Sequence, residues 1–460
     1  MNHSQIETPI GRSCNFTRHA GSLFTEWITE RWEKSYSTAL VAFVSTMIAV
    51  SGALHFNGLL EDLSGDDDCP GKLSRNPCYA EAKSLLDGSI ELPKRLHDSA
   101  VHKKHYYNVF QSGQTLFFLG HLWVNPTRGL RYFPLEMVFL MLLSVAFFFC
   151  GVFKLSNGNS LIAACLTISF FGGAPYLASF PSAMQGYVCR VNHCFSILFF
   201  AMLFVVVSAP LTFRRCLLAS LCIGLSMLFR IQNIILIILP ILPLVAGPYD
   251  REWRIRQKLS RRPERRQLVN SLLLLVCFPL LAGLLFMGVN LAKFGNPLNT
   301  GYQYLYIDRT DYIALRARTY GMMSFEFLPE NLFRTFWSAP AIEFDGWRIM
   351  KIMGDRRGNS LIFSQPILII ICFLGGAFRF VRMKAFLATS LLLAVPVWLY
   401  HNPGVFGRGY MRLSLDYAPI WFSMLAIGVA LCKPRTPLFP VIAVTGTIWS
   451  LFYAYMLLQS

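Results

Sequence analysis

Long apolar runs, separated by short polar segments, account for most of the chain. A helix that crosses a bilayer needs about 20 apolar residues, with roughly 17 as the lower limit. By this measure the pattern predicts about eleven membrane-spanning helices and an all-α polytopic membrane protein. The predicted spans are residues 37–54, 134–153, 160–175, 193–208, 216–229, 231–246, 268–292, 361–377, 385–400, 418–432 and 438–458.

A further apolar run, Ser112–Val124, is too short to be counted with these spans and contains Gln114, Gly120 and His121. Its insertion decides on which side every later loop lies. If it only half-inserts, the short Lys/Arg-rich loops fall on the same side as the polar N-terminal leader. The positive-inside rule favours that arrangement, so we predict one half-inserted helix here.

This topology divides the chain into a leader and one membrane domain. The large polar loops fall outside the cytoplasm, and a loop rich in arginine falls inside. The predicted segments are a cytoplasmic leader over 1–35, a single transmembrane domain over 36–458, outside loops over 57–111 and 293–359, and a basic cytoplasmic loop over 247–267.

Composition supports a membrane protein and changes the meaning of its charge. Apolar residues make up 54% of the chain and charged residues only 15%, against roughly 25% charged in soluble domains. A net charge of +17 would suggest nucleic-acid binding in a soluble protein. Here the basic residues mark the cytoplasmic side, so we expect membrane lipids as partners and no nucleic acid. A bacterial inner membrane, with the active site outside the cytoplasm, is the expected location.

The twelve cysteines form no CxxC motif, and most of them lie in apolar runs, where cysteine behaves as a small hydrophobic residue. Cys69 and Cys78 differ because they share the first polar loop. In an oxidising compartment they could form a disulfide, and the sequence leaves both states open.

Acidic residues are concentrated in the first outside loop. Asp66 and Asp67 lie in an acidic run, and Asp98 follows His97 upstream of Tyr106 and Tyr107. These carboxylates could form a solvated turn, act as a general base or bind a cation. The sequence therefore leaves a divalent cation open and predicts no other cofactor.

Arginine at the outer ends of the predicted spans suggests an anion. Arg230 ends one apolar run and meets the next without a polar linker, where it would snorkel, pair with an anion or face a polar cavity. A guanidinium binds phosphate oxygens in bidentate fashion. Other polar residues at this level are His193, Asn233, Arg408, Arg412 and Asp416.

The chain carries an ordered set of motifs: residues 79–93, His97-Asp98 with Tyr106-Tyr107, and residues 224–233, 293–302, 359–366 and 412–419. This set resembles the GT-C-type membrane glycosyltransferases, in particular bacterial relatives of the dolichyl-phosphate-mannose–protein mannosyltransferases. One departure is that Asn76-Pro77-Cys78 stands where relatives usually carry an aspartate.

The resemblance implies a GT-C-like bundle with an outward-facing site and an acidic base in the first outside loop. It implies transfer of a hexosyl or pentosyl group from a polyprenyl-phosphate donor to a glycan, lipid or protein acceptor of the cell envelope. Two alternatives remain: a multi-pass transporter or lipid flippase, and a non-catalytic envelope-assembly protein. The assigned residues are Asp98, Asp67 and Asp66 as candidate bases, Arg230, Arg408 and Arg412 for the donor phosphate, and His193, Asn233, Tyr106, Tyr107 and Asp416 for substrate.

Overall fold

A computed structural model describes the helical domain and parts of both large loops. It covers residues 38–55, 73, 75–96, 98–124, 133–180, 188–209, 211–246, 265–305, 310–346, 348–354, 359–402, 412–432 and 438–459. The predicted leader and most of the basic loop 247–267 lie outside these residues.

The described part of the chain is mostly helical. In chain order its helices are α1 (Thr38–His55), α2 (Pro77–Leu86), α3 (Ser112–Val124), α4 (Phe133–Leu155), α5 (Ser160–Phe171), α6 (Ala174–Leu177), α7 (Val188–Val207), α8 (Phe213–Phe229), α9 (Ile238–Ala246), α10 (Arg265–Phe294), α11 (Tyr312–Tyr320), α12 (Leu328–Phe336), α13 (Leu361–Ser364), α14 (Val381–Leu399), α15 (Ala418–Cys432) and α16 (Leu438–Gln459).

Five of these helices, α1, α4, α10, α14 and α16, are long and apolar enough to cross a membrane. Shorter apolar helices include α5, α15 and the stretch Ile231–Ala246. Large apolar side chains on α10, such as Leu273, Leu280 and Leu281, face outward and are more than half exposed, as expected for a surface in contact with lipid. The chain is a helical membrane protein, and the predicted number of about eleven crossings stays a prediction.

The apolar run 361–377 differs from the regular helix that its composition predicts. It begins with the single turn α13 and continues as two 3-10 segments, Pro366–Phe373 and Gly375–Arg379. Pro366 lacks the N–H that would continue the hydrogen-bond ladder of α13, and paired glycines at 375–376 favour a second interruption.

Two short antiparallel hairpins correct the prediction of an entirely helical chain. Strands β1 (Ser99–His102) and β2 (His105–Asn108) pair in the first large loop, and β3 (Ala341–Asp345) and β4 (Arg348–Met353) pair in the second. Their hydrogen bonds are local, so each hairpin can form within a loop without changing the packing of the long helices.

Close contacts between helices position the C-terminal end of α8. A Cβ added at Gly224 would lie 2.8 Å from the backbone carbonyl of Phe278, so α8 and α10 approach backbone to backbone. One added at Gly113 would lie 2.8 Å from the carbonyl of Leu228. The first turn of α3, and with it the end of the first large loop, therefore packs on the last turn of α8.

Candidate functional site

The helix α8 stops at Arg230 because the backbone there turns to an extended conformation, with φ −146° and ψ 99°. The chain then continues as the 3-10 segment Ile231–Ile237. Asn233 holds this break: its Nδ2 lies 2.6 Å from the Oγ atoms of both Ser226 and Ser196 and donates to them. Since Ser196 belongs to α7, the break is fixed against the first turns of that helix.

Asp416 gathers three residues from these segments into one buried group, which we call the Asp416 cluster. The Arg230 guanidinium forms an ion pair with Asp416 Oδ2, to which Gln232 Nε2 also donates at 3.0 Å. His193 Nε2 lies 3.1 Å from the other oxygen, Oδ1. The side chain of Asp416 is 0% exposed, whereas that of Arg230 is 14% exposed. The cluster therefore has a buried carboxylate behind a partly accessible guanidinium.

The electrostatics of the Asp416 cluster keep its carboxylate ionised. Burial alone would raise the pKa of Asp416. The positive charge of Arg230 and the contacts with His193 have the larger, opposite effect, and the net pKa is about 2. A carboxylate with so low a pKa is a poor proton acceptor near neutral pH. Asp416 instead fixes the positions of Arg230 and His193.

A second buried ion pair joins the first large loop to α10. Lys293 Nζ pairs with Glu81 Oε1, and both side chains are less than 5% exposed. The other oxygen, Glu81 Oε2, accepts from Asn108 Nδ2 and Thr115 Oγ1, each at 2.7 Å. Lys293 Nζ also donates to the backbone oxygen of Asn108 at 2.8 Å. These four residues, the Glu81 cluster, tie α2, β2, α3 and α10 together.

The Glu81 cluster also surrounds Cys78, which is a free and buried thiol in the structure. Asn108 Nδ2 lies 3.3 Å from its sulfur. Burial, with the adjacent Glu81 carboxylate, raises the pKa of Cys78 to about 12. Cys69, its candidate disulfide partner, lies outside the described residues.

The remaining first-loop candidates lie on the β1–β2 hairpin. Asp98 is half-buried and directly precedes β1. Tyr106 and Tyr107 are on β2, and the Tyr107 hydroxyl donates to Glu91 Oε1 at 3.3 Å. Burial and the Glu91 carboxylate raise the pKa of Tyr107. The contacts described for the Asp416 cluster do not include these three residues.

The structure thus brings His193, Arg230 and Asp416 into one cluster, with Asn233 fixing the backbone beside it. The sequence predicts these four residues at one membrane level but does not predict that they pair. Four other candidates fall wholly or partly outside the described structure: Asp66, Asp67 and Arg408 entirely, and Arg412 in its side chain.

Sequence reasoning missed the pairing of Glu81 with Lys293. Glu81 lies between two alanines on α2, and Lys293 directly follows an apolar span. A charged residue in each apolar setting is a signal for a buried pair, but it does not name the partner. Within the described segments, no group of three or more His, Cys, Asp or Glu side chains could hold a metal ion.

Fold and clusters together define a helical membrane protein in which a partly exposed arginine is paired with a buried aspartate. No protein-family model and no curated protein matches the chain. Solved structures of the oligosaccharyltransferase AglB of the archaeon Archaeoglobus fulgidus are similar to it. The apo form shares 11% identity over 92% of this chain and 55% of its own, with a TM-score of 0.49.

A second structure of the same archaeal enzyme is a complex with an inhibitory peptide and a dolichol-phosphate. It shares 10% identity over 94% of this chain and 56% of its own, with a TM-score of 0.48. The chain spans little more than half the length of these proteins. A likeness this distant assigns no donor, acceptor or residue role to the present chain.

Proposed function

We propose that the protein transfers a sugar from a polyprenyl-phosphate donor to a glycan, lipid or protein acceptor. The observation that carries the proposal is the Asp416 cluster, in which a buried carboxylate holds a partly exposed arginine where α8 breaks. The sequence motifs that resemble GT-C enzymes give the expectation of a lipid-linked donor.

In this proposal Arg230 binds the donor phosphate. The 14% exposure of the Arg230 side chain leaves a surface that a phosphate can reach. Asp416 is wholly buried, so it acts as a positioning residue for Arg230 and His193. Arg408 and Arg412, which closely precede it in the sequence, would add positive charge.

The proposed chemistry requires one proton acceptor and one stabilised leaving group. The acceptor's nucleophilic atom forms a bond to the anomeric carbon of the sugar. The bond from that carbon to the phosphate oxygen breaks, and its electron pair leaves with the polyprenyl phosphate, where arginine stabilises the charge. Asp98 takes the proton released by the acceptor, with Asp67 and then Asp66 as the next candidates.

The proposed site is on the non-cytoplasmic face of a bacterial inner membrane. This orientation rests on the distribution of the Lys/Arg-rich loops in the sequence. It places both large loops, and the end of α8 where Arg230 lies, on the side where lipid-linked sugars would be used.

The test is transfer from radiolabelled polyprenyl-phosphate sugars in membranes that contain the protein. Removing a general base costs typically 10²–10⁴-fold in rate, so Asp98→Asn should lose at least about a hundredfold. Arg230→Gln should lose a comparable factor through weaker stabilisation of the leaving phosphate. Exposed residues of the two large loops provide matched controls, Asp87→Asn and Arg318→Gln, which should keep wild-type rates.

Each outcome has a distinct consequence. Equal transfer by wild type and Asp98→Asn would remove Asp98 from the mechanism and direct the same test to Asp67. No transfer from any hexosyl or pentosyl donor would reject the enzyme. Movement of the labelled lipid across the bilayer without transfer would favour a flippase.

A further inference from the structure

One buried side chain, on a helix that packs against the proposed site, has polar atoms without hydrogen-bond partners in the described structure. Gln114, in the first turn of α3, is 0% exposed. Within the described structure, neither its Nε2 nor its Oε1 has a hydrogen-bond partner. Leaving a buried donor or acceptor unpaired destabilises a folded protein, so an amide that is unpaired at both atoms needs an explanation.

The packing of α3 places Gln114 between the outer ends of α7 and α8. The preceding residue, Gly113, packs directly on the carbonyl of Leu228 at the end of α8. One helical turn later, the Phe117 ring lies 4.9 Å from that of Phe195 on α7. Residues three apart share a helix face, so Gln114 lies on the face of α3 that meets α7.

These same helix ends carry the Asp416 cluster. Arg230 comes two residues after Leu228, and His193 comes two residues before Phe195. The rings of Phe195 and Phe229 stack at 4.5 Å between centroids, which holds the two helix ends together. Gln114 therefore belongs to a helix that packs on the end of α8, which leads into Arg230, and on α7, which carries His193.

Two other polar groups around this cluster share the condition of Gln114. Asn192, the neighbour of His193 on α7, is 1% exposed, and its Oδ1 has no hydrogen-bond partner in the described part of the chain. The same is true of the hydroxyl of Tyr176, which is also 1% exposed. Tyr176 belongs to α6, which packs against the 3-10 turn that ends in Asp416.

The chemistry of an amide limits what can satisfy Gln114. A phosphate or carboxylate accepts hydrogen bonds only and would leave Oε1 unpaired, whereas a cation would leave Nε2 unpaired. A hydroxyl both donates and accepts, so neighbouring hydroxyls of one ligand can satisfy both atoms. The carbonyl of Asn192 and the hydroxyl of Tyr176 suit the same neutral partner.

We propose that Gln114, with Asn192, binds the hydroxyl groups of the sugar carried by the donor lipid. The inference rests on the proposed function and deepens it by separating two tasks. Arg230 binds the phosphate that every polyprenyl-phosphate lipid carries, and Gln114 recognises the glycosyl group. Gln114 is therefore a specificity residue whose unpaired amide lowers the stability of the unliganded protein.

The test compares two kinds of lipid, unglycosylated and glycosylated, in nanodiscs that contain the full chain. The probes are unglycosylated polyprenyl phosphate and its glucosyl, mannosyl and arabinosyl derivatives. The variants are then measured with polyprenyl phosphate and with the glycosylated lipid that wild type binds most tightly. Gln114→Met keeps the length of the side chain and removes both polar atoms. It should weaken binding of the glycosylated lipid about tenfold, leave binding of polyprenyl phosphate unchanged and raise the Tm of the unliganded protein.

A matched control is Gln365→Met, because Gln365 is also a buried glutamine with an unpartnered Oε1 in the described structure, but its Nε2 donates to the Ser169 carbonyl at 3.1 Å. This variant should lower the Tm and leave both affinities unchanged. Gln114→Leu provides a second apolar variant if Met packs poorly.

The failure of this inference differs from the failure of the proposed function. If wild type binds no glycosylated lipid more tightly than polyprenyl phosphate, or if Gln114→Met lowers the Tm and leaves both affinities unchanged, Gln114 does not recognise a sugar. If wild type binds neither kind of lipid, the proposed donor itself is wrong.

Discussion

Replacing Asp416 by Asn should destabilise the protein because it removes the charge that compensates the partly buried Arg230. Asn keeps the shape of the side chain and one acceptor oxygen, so it creates almost no cavity. The loss is therefore mainly electrostatic. It should also free Arg230 and His193 to move, which would weaken the binding of a phosphate at the cluster.

The magnitude follows from the pKa of Asp416. Its ordinary value of 3.8 falls to about 2 in the folded protein, and each pH unit corresponds to about 1.4 kcal/mol. The ionised carboxylate thus contributes about 2 kcal/mol. Breaking a buried ion pair by removing one partner costs about 3–5 kcal/mol when the other charge is fully enclosed. Since Arg230 is 14% exposed, we expect Asp416→Asn to lower the free energy of unfolding by about 2 kcal/mol and not by the full cost of an enclosed charge.

Equilibrium unfolding of the two proteins in the same detergent would measure the difference. The folded state binds fewer protons than the unfolded state between about pH 2 and pH 4, so the stabilisation by Asp416 is complete above this window. The difference between wild type and Asp416→Asn should shrink as the pH falls below 4, because the carboxylate is then protonated.

A double-mutant cycle with Arg230→Gln gives the decisive result. If the pair interacts as the structure shows, the double variant should be less destabilised than the sum of the singles by about 2 kcal/mol. Additive single effects would refute the argument. The exposed pair of His105 and Glu91 is a control, because surface ion pairs contribute only about 0–1 kcal/mol.

Two further predictions concern other buried charges. Lys293→Met leaves Glu81 buried without its cation and should lower the free energy of unfolding by about 3–5 kcal/mol. The double variant Lys293→Met/Glu81→Leu should recover most of this loss. Equal instability of the single and double variants would contradict the pairing. Burial lowers the pKa of His401 from 6.5 to about 4. Between these pH values the unfolded state therefore binds more protons than the folded state. The free energy of unfolding of the wild type should fall by up to about 3 kcal/mol as the pH drops from 6.5 to 4. In thermal unfolding, His401→Gln should lack this dependence, and an unchanged pH profile would exclude His401 as its source.

The limits of sequence reasoning are clearest at two apolar runs. Residues 268–292 form a regular helix as predicted, because the apolar pattern itself stabilises a helix in lipid. Residues 361–377 have a similar composition but form one helical turn followed by 3-10 segments. Proline and glycine mark where such a run is interrupted, but packing against neighbouring helices decides the conformation that replaces the helix.

Composition and hydrophobic pattern alone determined that this is a helical membrane protein, because lipid leaves the backbone few alternatives to the helix. They also selected Arg230, His193 and Asp416 as unusual residues, since polar side chains next to apolar runs are costly unless paired. Only the tertiary structure decided that these three residues meet, because Asp416 is 186 residues from Arg230 in the chain. The unpaired amide of Gln114 is likewise visible only in the folded chain, because it depends on which groups fail to reach a buried side chain.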